Sequence, residues 1–295
     1  MNCPGCFQET VAEGYCKKCL KSLFAGKKVS HVLPFNSPHK EDSDLYRDLT
    51  RKMSISGVQV KYSMRLEEDH LVLTDTGGQY ILKPIPTGQF RHLDQAPANE
   101  HLTMQLARQL FGLDVPANAV IYFSDHSPAY LVKRFDVKAD GSKFQQEDFA
   151  QLAQLSEETH GKNYKYDLSY EEIGALIRRH IPMFAFELEK FFRLVLFNYI
   201  FSNGDAHVKN FSAMRSEAGD YVLTPAYDLL CTRIHSPGES DMALALLKDR
   251  YTDAFQANGF YTIADFKEFG KVMGIKESRL AKIFSEFHGQ EDGID

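Results

Sequence analysis

Asp205, Asn210 and Asp228 stand in the order that phosphoryl transfer from ATP requires. One carboxylate must lie beside the attacking hydroxyl, while an amide oxygen and a second carboxylate hold Mg2+ against the phosphates. The three residues fall in two segments, Ser202-Asn-Gly-Asp-Ala-His-Val-Lys-Asn-Phe-Ser212 and Leu223-Thr-Pro-Ala-Tyr-Asp-Leu229. Taken singly, each segment also reads as a helix C-cap or a turn, since Asn, Gly and Asp favour those places. Their pairing across one short hairpin favours the chemical reading. A second set consists of cysteines: Cys3-x2-Cys6 and Cys16-x2-Cys19, nine residues apart. Four thiolates at that spacing suit tetrahedral Zn2+, with an iron-sulfur cluster or disulfides as alternatives. A segment this short has no core of its own, so the metal is expected to supply its folding free energy. Cys231 stands apart and reads as a core residue.

The Asp205-x4-Asn210 spacing equals that between base and metal-binding Asn in the protein-kinase catalytic loop, with Asp228 at the place of the metal-binding Asp. Together the two segments closely resemble the catalytic and metal-binding motifs of the HipA family, the serine/threonine kinases of bacterial toxin-antitoxin systems. The resemblance extends over most of the chain from Met53 onward. It implies an α+β, two-lobed, protein-kinase-like fold, with a small β-rich lobe over residues 53–136 and a larger helical lobe over 137–295. A zinc ribbon over 1–28 and a polar connector over 29–52 precede them.

By this resemblance Asp205 is the base that orients the hydroxyl, Asn210 and Asp228 hold Mg2+, and His207 and Lys209 are auxiliary. Ser54-Ile-Ser-Gly-Val-Gln59 resembles the family's phosphate-binding loop. Gly57, Ser56, Val58 and Gln59 would cradle phosphate through backbone N–H groups, because neither G-x-G-x-x-G nor a P-loop is present. Ser54 and Ser56 occupy the position of a serine that family members autophosphorylate. A phosphate there would repel the nucleotide and switch the enzyme off.

The remaining positioning elements follow in order. Lys83 ends the apolar strand Tyr80–Lys83 and is expected to reach phosphate; a surface lysine is the plain alternative. A helix from Asn99 to Phe111, apolar at 102, 106, 110 and 111, carries Glu100 in its first turn, where it suits the helix dipole or pairs with Lys83. Lys133, Phe135 and Asp136 resemble the family's hinge beside adenine and ribose. Gln146–Gln151 is read as the start of the helical lobe, and Asp241–Leu246 resembles a family strand. Residues 232–240 read as a mobile polar loop. Helices are expected over 170–180 and 183–201, the second being the buried helix that delivers Asp205.

Composition sets outer bounds. At 295 residues and 43% hydrophobic content the chain can bury a sizeable core. A net charge of -6 gives no global electrostatic footprint for nucleic acid, and the local cluster Lys17, Lys18, Lys21, Lys27 and Lys28 reads as a solvated face sooner than as a binding patch. Charges interrupt the most apolar stretch, 184–201, which argues against a membrane span, and the first residues lack a signal core; a cytoplasmic protein is expected. The resulting expectation is an ATP- and Mg2+-dependent serine/threonine protein kinase, a toxin acting on a protein hydroxyl, with aminoacyl-tRNA synthetases as plausible acceptors. Two rivals are a small-molecule or lipid kinase and a catalytically weak binding module. Full-length HipA proteins carry more chain ahead of the phosphate loop. The small-lobe sheet is therefore expected either to receive a separate small protein, as in split, HipT-like members, or to be covered by the ribbon and connector. A helix-turn-helix antitoxin is the further expected partner, with DNA reached only through it.

Overall fold

The computed structural model describes residues 1–11, 13–38 and 60–290. Ser54, Ser56, Gly57, Val58 and Gln59 lie outside the described residues. The chain forms two compact units, one made of residues 1–105, 116–143 and 234–237, the other of 106–115, 144–233 and 238–295.

Alternating burial builds the first unit. Strands β1 (Tyr62–Glu67), β2 (His70–Leu73), β3 (Tyr80–Pro84), β4 (Asn118–Tyr122) and β5 (Pro128–Lys133) form an antiparallel sheet in the order β2-β1-β3-β5-β4. Tyr62 and Met64, Tyr80 and Leu82, Ala119 and Ile121, and Ala129 and Leu131 enter one apolar cluster, as the two-residue period of a strand dictates. Cys3, Cys6, Tyr15, Cys19, Leu23 and Phe24 belong to the same cluster. The cysteine segment, with its helix α1 (Lys17–Phe24), thus shares the core of the sheet instead of standing apart from it.

The outer edge of β4 is likewise covered from within the chain. The N–H groups of Val120, Tyr122 and Ser124 donate to the carbonyls of Pro4, His31 and Phe35 at 3.0, 2.8 and 3.0 Å, and Leu33 N–H donates to Tyr122 O at 2.7 Å. Of the two expectations for the sheet, self-covering describes this edge.

Helix α2 spans Ala96–Gln109, three residues earlier than expected, so Glu100 leaves the first turn and its dipole. Leu102, expected on the apolar face, is 48% exposed, whereas Asn99, Glu100, His101, Thr103 and Gln105 are buried. These buried polar groups find partners in the fold: Asn118 Oδ1 meets His101 Nδ1 at 2.7 Å and accepts from Gln105 Nε2 at 2.9 Å.

In the second unit, β6 (Gln146–Asp148), β7 (Ser212–Arg215) and β8 (Tyr221–Leu223) form an antiparallel sheet. Gln146–Gln151 therefore begins as a strand. It becomes a helical turn only after Asp148, whose side chain accepts the Gln151 N–H in a capping box. Helix α3 (Tyr170–His180) starts at Ser169, which exchanges capping bonds with Glu172. Helix α4 (Phe184–Ile200) buries Leu188, Phe191, Phe192, Val195 and Phe197, each contributing about 1.5–3 kcal/mol by leaving water. Three further helices, α5 (Asp253–Asn258), α6 (Ile263–Val272) and α7 (Glu277–His288), complete this unit.

Two expectations fail here for a shared reason, the satisfaction of backbone and polar groups. Asp241–Leu246 is not a strand: the carbonyls of Ala245 and Leu246 accept the first N–H groups of α3, from Tyr170 and Glu171, at 2.9 and 3.1 Å. Within 232–240, Thr232 and His235 are buried, which a mobile polar loop would not show. His235 Nε2 lies 2.9 Å from Asn99 Nδ2 and its Nδ1 lies 2.9 Å from Arg91 O. Among the described residues, no helix is long and apolar enough to cross a membrane.

Candidate functional site

Helix α4 ends where the acidic loop must begin. Ser202 takes a left-handed φ of 49°, and Asn203 N–H donates to Asn198 O at 2.8 Å. Buried Asn203 then braces the loop from inside, donating through Nδ2 to Asn198 Oδ1 at 3.0 Å and to Asp228 O at 3.3 Å. Gly204 N–H donates to Thr232 Oγ1 at 2.9 Å, and a Cβ at Gly204 would lie 2.3 Å from Ser240 O. Buried Tyr170 reaches across to donate to Ala206 O at 2.9 Å. Asp205 is thereby held outward, with its side chain 48% exposed, on a loop whose neighbours are fixed.

Asp205 Oδ1 accepts the Tyr166 hydroxyl at 2.8 Å, with Lys165 Nζ at 3.7 Å and His207 Nε2 at 3.9 Å. Burial, and then the Asp205 carboxylate, raise Tyr166 above the ordinary tyrosine range, so it stays a donor. Burial holds the His207 imidazole below its usual pKa; Asp205 opposes this and Lys165 adds to it.

Asn210 and Asp228, the pair expected to hold Mg2+, lie side by side: Asn210 Nδ2 donates to Asp228 Oδ2 at 3.4 Å. Asn210 Oδ1 is buried and has no hydrogen-bond partner among the described residues. An amide oxygen left over on a side chain whose nitrogen meets a carboxylate offers, with that carboxylate, the hard oxygen donors that Mg2+ takes, so these residue types fit that ion. Asp228 sits at a left-handed φ of 55°, a conformation Asp tolerates better than most residues and one found disproportionately at functional sites. Lys209 turns elsewhere, its Nζ 5.8 Å from the Tyr164 ring centroid, while its carbonyl accepts from Tyr227 at 3.0 Å.

In the first unit, Lys83 Nζ contacts Glu100 Oε1 at 2.6 Å, with both side chains 5% exposed. Two charges removed from water are tolerated only when they pair closely. Lys83 is therefore no surface lysine. Lys133 Nζ points to Ser22 O at 3.4 Å, and Asp136 forms a two-pronged pair with Arg134 through contacts of 2.9 and 2.5 Å. Phe135 follows β5 and is half-buried.

The four cysteines converge in this unit. Their sulfurs lie within 4.8 Å of one another, with Cys6 and Cys16 Sγ 3.7 Å apart. A tetrahedral ion with Zn–S bonds of about 2.3 Å sets its sulfurs about 3.8 Å apart, so the group fits zinc. Cys16 and Gly5 N–H groups donate to Cys3 Sγ at 3.1 and 3.4 Å, as backbone amides do to a metal-bound thiolate.

The model of the HipA-like C-terminal domain matches residues 53–292. The chain belongs to the HipA-like C-terminal domain family. A "Putative kinase" of Haemophilus influenzae is 28% identical over 96% of this chain and 84% of its own length. The "Putative kinase Y4dM" of Sinorhizobium fredii is 28% identical over 77% of the chain and 57% of its own length. The structure of Shewanella oneidensis HipA with HipB and operator DNA superposes with a TM-score of 0.60, at 22% identity, over 81% of this chain and 56% of that one. The HipA-like chain thus spans little more than half of two of these proteins, and the Shewanella likeness speaks for the fold.

Sequence reasoning missed Lys165, Tyr166, Tyr170, Asn198 and Thr232 as parts of this HipA-like site. Lys165 and Tyr166 lie in an aperiodic polar stretch nearly forty residues before Asp205, where spacing carries no signal.

Proposed function

We propose that this HipA-like protein is an ATP-dependent serine/threonine protein kinase. The observation that carries the reading is the contact of Asn210 Nδ2 with Asp228 Oδ2, which leaves the buried Asn210 Oδ1 without a partner among the described residues, on the same loop as a braced, exposed Asp205. Asp205 accepts the proton of the acceptor hydroxyl as that oxygen attacks the γ-phosphorus and ADP leaves. Asn210 and Asp228 hold Mg2+, which when bound offsets phosphate charge. Lys83, oriented by Glu100, contacts phosphate, and Ser56, Gly57, Val58 and Gln59 cradle it. Lys133, Phe135 and Asp136 take the adenosine, and His207 and Lys209 steady the loop.

The kinase names of the Haemophilus and Sinorhizobium relatives support this reading. The HipA–HipB–DNA assembly of the Shewanella protein supports a toxin role, with a DNA-binding antitoxin as partner. A separate small protein on the sheet remains part of the proposal, docking elsewhere than on the edge of β4, as do a cytoplasmic location and self-phosphorylation at Ser54 or Ser56. The four cysteines bind one structural Zn2+.

The test is Asp205→Asn beside Asp228→Asn. Asp205→Asn is expected to bind MgATP normally and to lose transfer by about two orders of magnitude or more, whereas Asp228→Asn weakens MgATP binding itself. Phosphoproteomes of cells expressing wild type and Asp205→Asn identify the acceptor, and intact mass after incubation with MgATP reads Ser54 and Ser56. Full transfer by Asp205→Asn would overturn the assignment.

A further inference from the structure

Zinc in the four-cysteine site does more than fold a small appendage. We infer that it is the clasp that closes the edge of the first unit's sheet, so that metal occupancy decides whether β4 is covered by its own chain. This rests on the zinc reading above and adds to it a role for the site in the sheet.

The argument begins at the edge strand. Every second residue of a strand turns its N–H outward, and on an edge those groups invite another chain to pair. Here the outward groups run through Val120, Tyr122 and Ser124, and all three donate to carbonyls of the first 35 residues: Pro4, His31 and Phe35. Val32 bridges Tyr122 in the parallel sense, so residues 31–35 run along the strand as a short, imperfect sixth strand. Two tyrosines cross the same boundary. Tyr15 donates to Val120 O at 3.1 Å, and Tyr80 on β3 donates to Leu23 O at 2.8 Å, both buried.

Apart from α1 and isolated bridges, the described covering residues form no helix or strand, and they depart from the cysteine cluster at both ends. Pro4, which accepts from Val120, lies within the Cys3–Cys6 knuckle. Tyr15 directly precedes Cys16, and Leu23 sits one turn beyond Cys19 on α1. Gly5 is fixed in the same place, since a Cβ there would come within 2.8 Å of Cys19 Sγ. Without a metal, the two knuckles are drawn together by weak thiol contacts, the Cys16 N–H on Cys3 Sγ and their shared apolar packing, none of them as strong as a metal–thiolate bond. With one, four bonds fix Pro4, Tyr15 and Leu23 at once, each of which contacts the sheet. The clasp therefore closes on the same strands that carry Lys83 and its neighbours.

The experiment uses the full chain. Zinc is measured by elemental analysis, and Co2+ replaces it to report four-thiolate ligation by its visible absorption. Hydrogen exchange of the wild type is then followed with and without a chelator, and in Cys16→Ser. One zinc per chain is expected, and on its removal the amides of Val120, Tyr122 and Ser124 exchange faster by about a hundredfold, while those of α4 keep their protection. Chelation of the wild type decides the matter even if Cys16→Ser does not fold. Bound zinc whose removal leaves the β4 amides protected overturns the clasp and spares the zinc site. A chain with no metal and a protected β4 overturns both. Loss of protection in α4 to the same extent overturns the clasp as a local device, because the whole chain then unfolds with its metal.

Discussion

Tyr166 donates its hydroxyl to Asp205 Oδ1 at 2.8 Å, and Lys165 stands 3.7 Å from the same oxygen. Both contacts from this loop engage one oxygen of the carboxylate. No described residue hydrogen-bonds the other, Oδ2, the oxygen that the proposed base would turn to an acceptor hydroxyl. Tyr166 is thus a positioning residue for the proposed base. Tyr166→Phe is expected to lower kcat about fivefold to tenfold, the scale of one partly exposed hydrogen bond to a charge, with the KM for MgATP unchanged. Steady-state kinetics decide it; an unchanged kcat removes Tyr166 from the site.

The pair Lys83–Glu100 predicts a non-additive stability pattern. Glu100→Ala leaves a buried ammonium without its carboxylate and is expected to cost about 3–5 kcal/mol. The double replacement Lys83→Met with Glu100→Leu removes both charges and is expected to be the more stable of the two variants. Urea titrations compare them. Equal stability would mean that the ion pair is not desolvated as its burial implies.

Gly204→Ala tests the packing behind the acidic loop. Its Cβ would come within 2.3 Å of Ser240 O and 2.8 Å of Glu239 Cγ, and a backbone oxygen cannot rotate away. A loss of about 1–3 kcal/mol is expected, with a displaced Asp205 and reduced phosphate transfer. Thermal unfolding and turnover measured together check both, and a fully stable, fully active variant contradicts the close approach.

His207 predicts a pH dependence with a definite sign. Burial lowers its folded pKa below the ordinary 6.5, so the unfolded chain binds the proton more readily. Its contribution to stability is present above about pH 6.5 and is lost as pH falls through the depressed folded value. Chemical denaturation between about pH 5 and 7 is expected to show stability falling with acidity, less steeply in His207→Gln. Identical slopes in the two proteins would rule His207 out as the source.

What the sequence made legible was periodic or tightly spaced. The apolar run of α4 and the two cysteine pairs carry their geometry within a few residues. The apolar run of β3 drew attention to the Lys83 that follows it, and the helix that supplies Glu100 was visible three residues short of its start. What stayed hidden depends on partners far apart in the chain. Of the two readings of Glu100 the pair with Lys83 describes it, while the polar face of α2 hid because Asn118 and His235 satisfy it. The run Asp241–Leu246 has a strand's alternating burial, but its carbonyls are taken by α3. Tyr166 and Lys165 gave no periodic signal at all.

The bracing of Asn203 also bears on how the molecule ages. Asn203-Gly204 is the kind of dipeptide in which the following backbone nitrogen most easily attacks the side-chain amide, closing a succinimide that opens to aspartate. In the folded chain that nitrogen is engaged with Thr232 Oγ1, and the amide is tied to Asn198 and to Asp228 O. The native loop is therefore chemically guarded, and damage accrues during excursions into the unfolded state. Each such event would leave a new carboxylate at a position 2% exposed, directly behind Asp228. Chains that unfold often would then record their history as a slow, irreversible loss of this side-chain amide.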